Sequence, residues 1–576
     1  MNIKQRIWHF VFLAIATITV YYHTLDVPFY LDDFSSIQEN PLIYNWQGFS
    51  QLWNYAPLRI VGYLSFALNY YFGKFDYTGY HLINILIHFL VGFVLYLFIS
   101  ALLKTPRIKV SEQTHLWLPL FAALLFLLHP LHIQAVTYIV QRLASLAALF
   151  YILTMFSFVQ ARLNSEKRML WIAICLISAL LAFFTKQNTF TLPISILLIE
   201  ICFFNTSLKT LFRFGLISAG IVGFIFVMLS WNLNYQPFSL EAMQALTKET
   251  DKISRADYFA SQMQVIWIYL KLFFYPNSLH IDYDPFPLMG FNALTIVAAL
   301  LHFSIIIISL FFIKKLPFLV FGILFYYIAH SIESGFIPIR DVIFEHRTYL
   351  PDVGLVIIVG WFLMEKVANW VKLETVLAVS CVLLIVLGLQ TWERNQIWRD
   401  PVALWQHNVT LAPNKERAWS VLGKHLLERQ QAKEGIQALE KAIELQKKSG
   451  KKGINTVDIV NLIVGFKMLK EYDKALHLTQ QVLNQPMTPL LKSKFLINQA
   501  NIFYEQNRVS EAEQSLRQAI AIYPNDLTAK GNLASLLGNR GSFEEAETLY
   551  LEVLRYYPSN KAVQENLQNL RKLQGK

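Results

Sequence analysis

The sequence predicts an all-α protein in two parts: a polytopic membrane domain with about eleven transmembrane helices, then a tetratricopeptide-repeat α-solenoid. Three observations carry this. Only 15% of the 576 residues are charged and 55% are hydrophobic, where a soluble domain carries about 25% charged residues. The deficit is uneven, since residues 8–392 are mostly apolar runs and 393–576 are rich in Gln, Lys, Glu, Asn and Ala. The C-terminal part also repeats itself, with the tetratricopeptide period of about 34 residues. The change near Trp392 divides the chain into 1–392 and 393–576.

Crossing the hydrocarbon core takes about 20 apolar residues. Runs near that length fall at 8–25, 80–103, 116–131, 137–161, 169–185, 188–204, 211–232, 291–313, 316–332, 350–365 and 375–391. The first has no small-residue cleavage signature behind it and reads as an uncleaved span. A further stretch, 259–274, is interrupted by Lys271 and is read as not crossing.

The net charge is +11. The basic residues fall in short connectors at 104–112, 162–168, 205–213, 314–315 and 365–374, which with Lys4 and Arg6 form a cytoplasmic set. That clustering explains the charge better than nucleic-acid binding, which is not expected. Eleven spans then put the N-terminus inside and the C-terminus outside. The long segments 26–79, 233–290 and 332–349 share the outer face with the repeats. Cys175, Cys202 and Cys381 lie in apolar runs without motif partners and read as small hydrophobes.

In the soluble part, EEAETLYLEVLRYYPSN (544–560) echoes SEAEQSLRQAIAIYPND (510–526), with Pro524 and Pro558, and Ala512 and Ala546, each one full period apart. About four repeats are expected, at 413–446, 455–487, 491–524 and 525–558, with a capping helix at 559–573 and an inserted loop KKSGKKG at 447–453. Small Ala and Gly residues let the paired helices approach. Such arrays offer a concave surface for a peptide or protein, or serve as a scaffold.

Ionisable residues at membrane depth are the informative ones. Asp32 and Asp33 follow the first span and suit a general base, a metal ligand or a helix cap. His81, Asn84 and His88 share one helical face; His81, nearest the outer end, suits a phosphate, and His88 a structural role. His129 and His132 form an HxxH pair, but no further zinc ligands lie near in sequence. Arg142 sits early in the fourth span. Lys186, Arg340, Glu345, His346 and Arg347 gather at outer connectors. Cations there could hold a phosphate or diphosphate leaving group while a carboxylate deprotonates an acceptor hydroxyl; simple charge anchoring at the headgroup level is the alternative.

YLDDFSSIQENPLI, PLRIVGYLSFALNYYFGKFDYTGYHLINILIH, LLHPLHIQAVTYIVQRLASLAALFYIL and EHRTYLPDVG, followed by repeats, together resemble the transmembrane and tetratricopeptide-repeat O-mannosyltransferases and their bacterial relatives, a family within the GT-C glycosyltransferases. The resemblance implies a GT-C-type membrane domain. It implies an inverting enzyme that moves a hexose from a polyprenyl-phosphate sugar to Ser or Thr at the non-cytoplasmic face, the periplasm if the chain lies in a bacterial inner membrane. Asp32 and Asp33 would hold the catalytic carboxylate and Arg347 the lipid phosphate, with His81, Lys186 and Arg340 as further phosphate candidates. No cofactor is fixed by the resemblance, a divalent metal stays open, and the lipid-phosphate-linked sugar is the donor substrate. The partners implied are the lipid-linked donor, membrane lipid and a protein or peptide acceptor. The chain departs from the family pattern at Lys186–Gln187, where Lys–Glu is usual, and at PLRI, which displaces Arg59. Two other functions remain: a transferase working from a prenyl-diphosphate oligosaccharide, and a non-enzymatic scaffold or transporter.

Overall fold

Every regular element among the described residues is helical. The computed structural model describes the whole chain except residues 1–2, 46–48, 233–234, 237–238, 240, 242–249, 251–252, 285–287, 289, 450–454, 558–559 and 575–576. Most of the expected 447–453 insertion therefore lies outside the described residues. The chain divides into two compact units, Met1–Leu404 and Trp405–Lys576.

The expectation of about eleven spans is not met. Six described helices are long and apolar enough to cross a membrane: Lys4–Asp26, Tyr77–Leu102, Ile139–Leu163, Leu208–Trp231, Ala293–Phe311 and Leu373–Trp398. A seventh is obtained if Glu112–Leu128 and Pro130–Thr137, bent by 52°, count as one. The remaining runs form shorter helices, namely Arg168–Phe183, Gln187–Phe203 and Pro317–His330, or the ten-residue Asp352–Trp361. At about 1.5 Å per residue, helices of ten to seventeen residues fall short of a core about 30 Å thick. A hydropathy reading counts apolar residues across breaks that the backbone makes. Here a π-turn at Phe362–Lys366 interrupts the expected 350–365 span, and another at Ile332–Phe336 begins where the expected 316–332 span ends. The sidedness inferred from an odd number of crossings falls with the count, leaving the Lys/Arg bias. The chain remains a multi-pass membrane protein.

The first unit is layered by burial. In the Ile139–Leu163 helix 78% of the most apolar window is buried, and in Tyr77–Leu102 61%; Leu208–Trp231 buries only 6%. The first two form the centre, and the last offers its apolar surface to lipid. Pro317–His330 packs on Asp352–Trp361 at unusually short range. A Cβ at Gly354 would lie 2.4 Å from the Gly322 carbonyl oxygen, and one at Gly322 would lie 2.5 Å from that of Gly354. Only glycine at both positions allows this approach.

The second unit stacks helix pairs. Helices A and B of successive repeats are Glu416–Glu428 and Ala432–Lys448, Thr456–Met468 and Tyr472–Leu483, Pro489–Glu505 and Val509–Ile522, and Leu527–Asn539 and Phe543–Tyr556; Lys561–Leu573 follows. Each A-to-B turn closes the same way. Gln430, Lys470, Asn507 and Gly541 all have φ between 60° and 86°. The next residue's N–H reaches back to Leu426, Phe466, Phe503 and Leu537 respectively, at 2.8–3.0 Å. This is the left-handed helix stop that satisfies otherwise orphaned carbonyls. Adjacent repeats are also stitched by polar bonds: Ser493 Oγ donates to Asp526 Oδ2 at 2.6 Å, and Ser420 donates to Asp458.

Candidate functional site

The loop after the first helix separates its two aspartates. Leu31 has φ of 40°, a conformation costly for a branched side chain, and the turn it makes points the neighbours apart. Asp33 is fully buried. Its Oδ2 accepts the Tyr30 N–H at 2.9 Å and its Oδ1 the Val140 N–H at 2.7 Å. Burial pushes its carboxyl up to about 8, against the two amides, which lower it. Asp32 is exposed; its backbone N–H donates to the Tyr138 hydroxyl at 2.8 Å. One carboxylate thus fastens the loop and the other is presented to the surroundings.

A cationic group forms on other segments of the same unit. The Val61 N–H donates to the Phe184 carbonyl at 3.0 Å, which brings Arg59 near Lys186. Lys186 Nζ pairs with Glu333 Oε1 at 2.7 Å. Burial pushes the Lys186 ammonium below the usual lysine range, Glu333 opposes this, and Arg59 and Arg347 add repulsion. Asn188 also donates to Glu333, at 3.4 Å. Arg347 is 4% exposed. It donates to the carbonyls of Asp341 (2.6 Å) and Val342 (3.0 Å) and to the Tyr258 hydroxyl (3.4 Å), which itself donates to the Glu333 carbonyl at 2.6 Å. His346 is held well below the usual histidine range by burial and by Lys186, Arg347 and Arg59, so its ring is neutral at pH 7. Arg340 is exposed. Tyr63 links the two groups: its hydroxyl hydrogen-bonds Ser36, three residues past Asp33, and it feels the Arg59 charge.

Several other candidates brace this arrangement. His81 Nε2 lies 2.9 Å from the Val27 carbonyl, holding the start of the aspartate loop. Asn84 donates to Val136 and Ile139 carbonyls and accepts from Arg142 Nε at 2.6 Å. Arg142 is fully buried; it also donates to Ser65 and the Tyr80 carbonyl, and lies over the Phe66 ring. His129 Nε2 meets the Phe273 carbonyl at 2.9 Å, and His132 Nε2 meets Asp352 Oδ2 at 3.0 Å. Glu345 pairs with Arg394 at 2.7 Å and accepts from the His280 N–H and Tyr283 hydroxyl. Burial raises its carboxyl and Arg394 opposes the rise. Among the described residues, no three His, Cys, Asp or Glu side chains are grouped to hold a metal ion.

Glu333, Tyr258, Tyr138 and Asp352 were not singled out from sequence. Glu333 carried a signal, an acid at the end of an apolar run. The tyrosines carried none, because their partners are remote in the chain.

Comparison with known proteins adds the kinship. The Tetratricopeptide repeat family matches residues 503–570. "Protein O-mannosyl-transferase TMTC3" of Homo sapiens is 24% identical, over 97% of this chain and 61% of its own. "Protein O-mannosyl-transferase F38B6.6" of Caenorhabditis elegans is 23% identical, over 73% of this chain and 60% of its own. "Protein O-mannosyl-transferase Tmtc3" of Drosophila melanogaster is 22% identical, over 93% and 66%. The chain is a distant homologue of the protein O-mannosyl-transferases. It spans about three fifths of the length of the first two of these relatives. Likeness to these O-mannosyl-transferases runs through both units, and the repeat match falls within the second. Among solved structures, the "Crystal structure of APC/C hetero-tetramer Cut9-Hcn1" aligns at 14% identity over 89% of each chain, with a TM-score of 0.26, too low to bear on the fold.

Proposed function

We propose that the chain is a glycosyltransferase that moves a hexose from a polyprenyl-phosphate donor to a Ser or Thr hydroxyl of a protein. The observation that carries this reading is an exposed carboxylate, Asp32, in the unit that also holds Arg59, Lys186 and Arg347 around a buried acid. Distant kinship to O-mannosyl-transferases supports it, and the sugar need not be mannose. The acceptor oxygen bonds to the anomeric carbon as the bond from that carbon to the phosphate oxygen breaks. The electron pair leaves on the phosphate, whose charge the cations stabilise, and the acceptor proton passes to Asp32. A single displacement inverts the anomeric centre. The Lys/Arg bias of the connectors supports a non-cytoplasmic position for the Asp32 loop and the repeats.

The test is a transfer assay with the full-length chain, a polyprenyl-phosphate hexose and a Ser/Thr-containing protein, read by mass spectrometry. A hexose mass on Ser or Thr, lost in Asp32→Asn with the variant still folded, is expected. Full transfer by Asp32→Asn, or no transfer from any polyprenyl-phosphate sugar, overturns the proposal.

A further inference from the structure

Tyr138 meets the exposed aspartate twice. Its hydroxyl oxygen accepts the Asp32 N–H at 2.8 Å, and the same hydroxyl hydrogen-bonds the Asp32 carboxylate. The backbone amide can only donate, so it takes a lone pair of the phenol oxygen and leaves the phenolic proton for the carboxylate. Asp33 is the other acid nearby, and its oxygens already accept the Tyr30 and Val140 N–H groups. Burial, and then the neighbouring aspartates, hold the Tyr138 hydroxyl well above the usual phenol range, so it keeps its proton at pH 7.

The ring that carries this hydroxyl is itself fixed. Tyr138 is buried. The carbonyls of Val136 and Ile139, on either side of it, accept from Asn84 Nδ2 at 2.9 and 3.3 Å, and its own carbonyl accepts the Gln141 N–H at 3.0 Å. Its ring centre lies 6.2 Å from that of Trp398, at the end of the Leu373–Trp398 helix. The Trp398 ring also meets the Tyr30 ring edge-on at 5.8 Å, and the Trp398 carbonyl accepts the Tyr30 hydroxyl at 2.6 Å. One turn earlier on that helix, Asn395 Oδ1 accepts from Thr137 Oγ1 at 2.8 Å. One buried helix end therefore supports Tyr138, which bonds Asp32, and Tyr30, whose N–H anchors Asp33.

An exposed aspartate with free torsions samples several positions, whereas a general base must meet its proton at hydrogen-bond range. A misplacement of about 1 Å can cost about 100-fold in rate. One donated hydrogen bond fixes the carboxylate and leaves its remaining lone pairs for the acceptor's proton. We propose that Tyr138 is the positioning residue of the Asp32 carboxylate, itself aimed by its contact with Trp398. The inference rests on the reading of Asp32 as the base in sugar transfer. Tyr138 donates a hydrogen bond and transfers no proton; the acceptor's proton still goes to Asp32.

The test compares the full-length wild type with Tyr138→Phe, which keeps the ring against Trp398 and removes the hydroxyl. In transfer from a polyprenyl-phosphate hexose to a Ser/Thr-containing protein, kcat is expected to fall at least about tenfold, with the donor KM within about twofold of wild type. A residue that only supports packing would not divide the two constants in this way. Hydrogen exchange at the Asp32 amide, read by mass spectrometry, is a second measurement that needs no substrate. In wild type this amide is expected to exchange at least about tenfold more slowly than an unprotected one. Tyr138→Phe is expected to remove that protection while amides of the Ile139–Leu163 helix keep theirs. Unchanged kcat in Tyr138→Phe, a loss confined to KM, or an unprotected Asp32 amide in wild type overturns the inference; the wild-type arm does not depend on the folding of any variant. No transfer by wild type with its Asp32 amide protected counts against the transferase reading alone. Transfer by wild type with kcat unchanged in Tyr138→Phe counts against the positioning role alone.

Discussion

Asp33 Oδ1 accepts the Val140 N–H at 2.7 Å, tying the first loop to the entrance of the Ile139–Leu163 helix. The two aspartates should therefore respond differently to the same change. In Asp33→Asn the new amide turns an NH2 toward the Tyr30 or Val140 N–H. The expected cost is about 1–3 kcal/mol of stability, seen as a lower thermal midpoint of the solubilised chain. Asp32→Asn should leave that midpoint unchanged and lower transfer about 100-fold or more.

Asp33 also makes stability depend on pH. Its ordinary value is 3.8 and burial raises it to about 8, so between these values the folded chain binds the proton and the unfolded chain does not. Its contribution is most favourable at low pH and declines as pH rises from about 4 to about 8. The unfolding midpoint of wild type minus that of Asp33→Asn should fall across this window. A difference that is flat, or that rises with pH, counts against the buried, protonated carboxyl.

Glu333 is the buried counter-charge of Lys186, Nζ to Oε1 2.7 Å. Glu333→Gln leaves the ammonium without it, and a loss of about 3–5 kcal/mol is expected. Glu333→Gln combined with Lys186→Met should recover a good part of that stability, and donor binding by the double variant would then report what the lysine itself contributes. No recovery would mean that the acid serves Asn188 and the surrounding loop more than the lysine.

Arg347 spreads its guanidinium over the Asp341 and Val342 carbonyls and the Tyr258 hydroxyl. A lysine cannot span these positions with a planar fork. Arg347→Lys should weaken donor binding clearly despite keeping the charge, in titrations with a polyprenyl-phosphate sugar. Equal donor affinity would restrict Arg347 to holding its own loop.

Gly354→Ala places a methyl 2.4 Å from the Gly322 carbonyl oxygen. Backbone cannot yield as a side-chain tip does, so the two helices must separate, at about 1–3 kcal/mol or more. Asp526→Ala, in the repeats, removes the cap accepting the Thr528 and Ala529 N–H groups as well as the Ser493 contact. About 1–2 kcal/mol is expected there, with hydrogen exchange accelerated in Leu527–Asn539 first.

What the sequence discloses follows the range of the interaction. The repeats were legible because their period is local: each A-to-B turn closes through bonds only a few residues long. The acidic pair was legible as a pair, but which carboxylate is buried depends on Leu31 at positive φ and on Val140, far along the chain. His129 and His132 look alike in sequence; one ring faces Phe273 and the other Asp352, partners that no spacing announces. The span count failed for a related reason. Apolar composition marks what avoids water, and a short helix end or π-turn buried inside protein does that as well as a lipid-facing helix.

The stops at Gln430, Lys470, Asn507 and Gly541 are made by four different residues with one backbone geometry. The joint of each repeat is thus indifferent to its side chain. Whole copies can be added or excised as cassettes without recutting the joint, and the surviving copies keep their pitch. Variation can then concentrate on the exposed side chains of helix A, so that the length of the array and the chemistry of its surface can change independently.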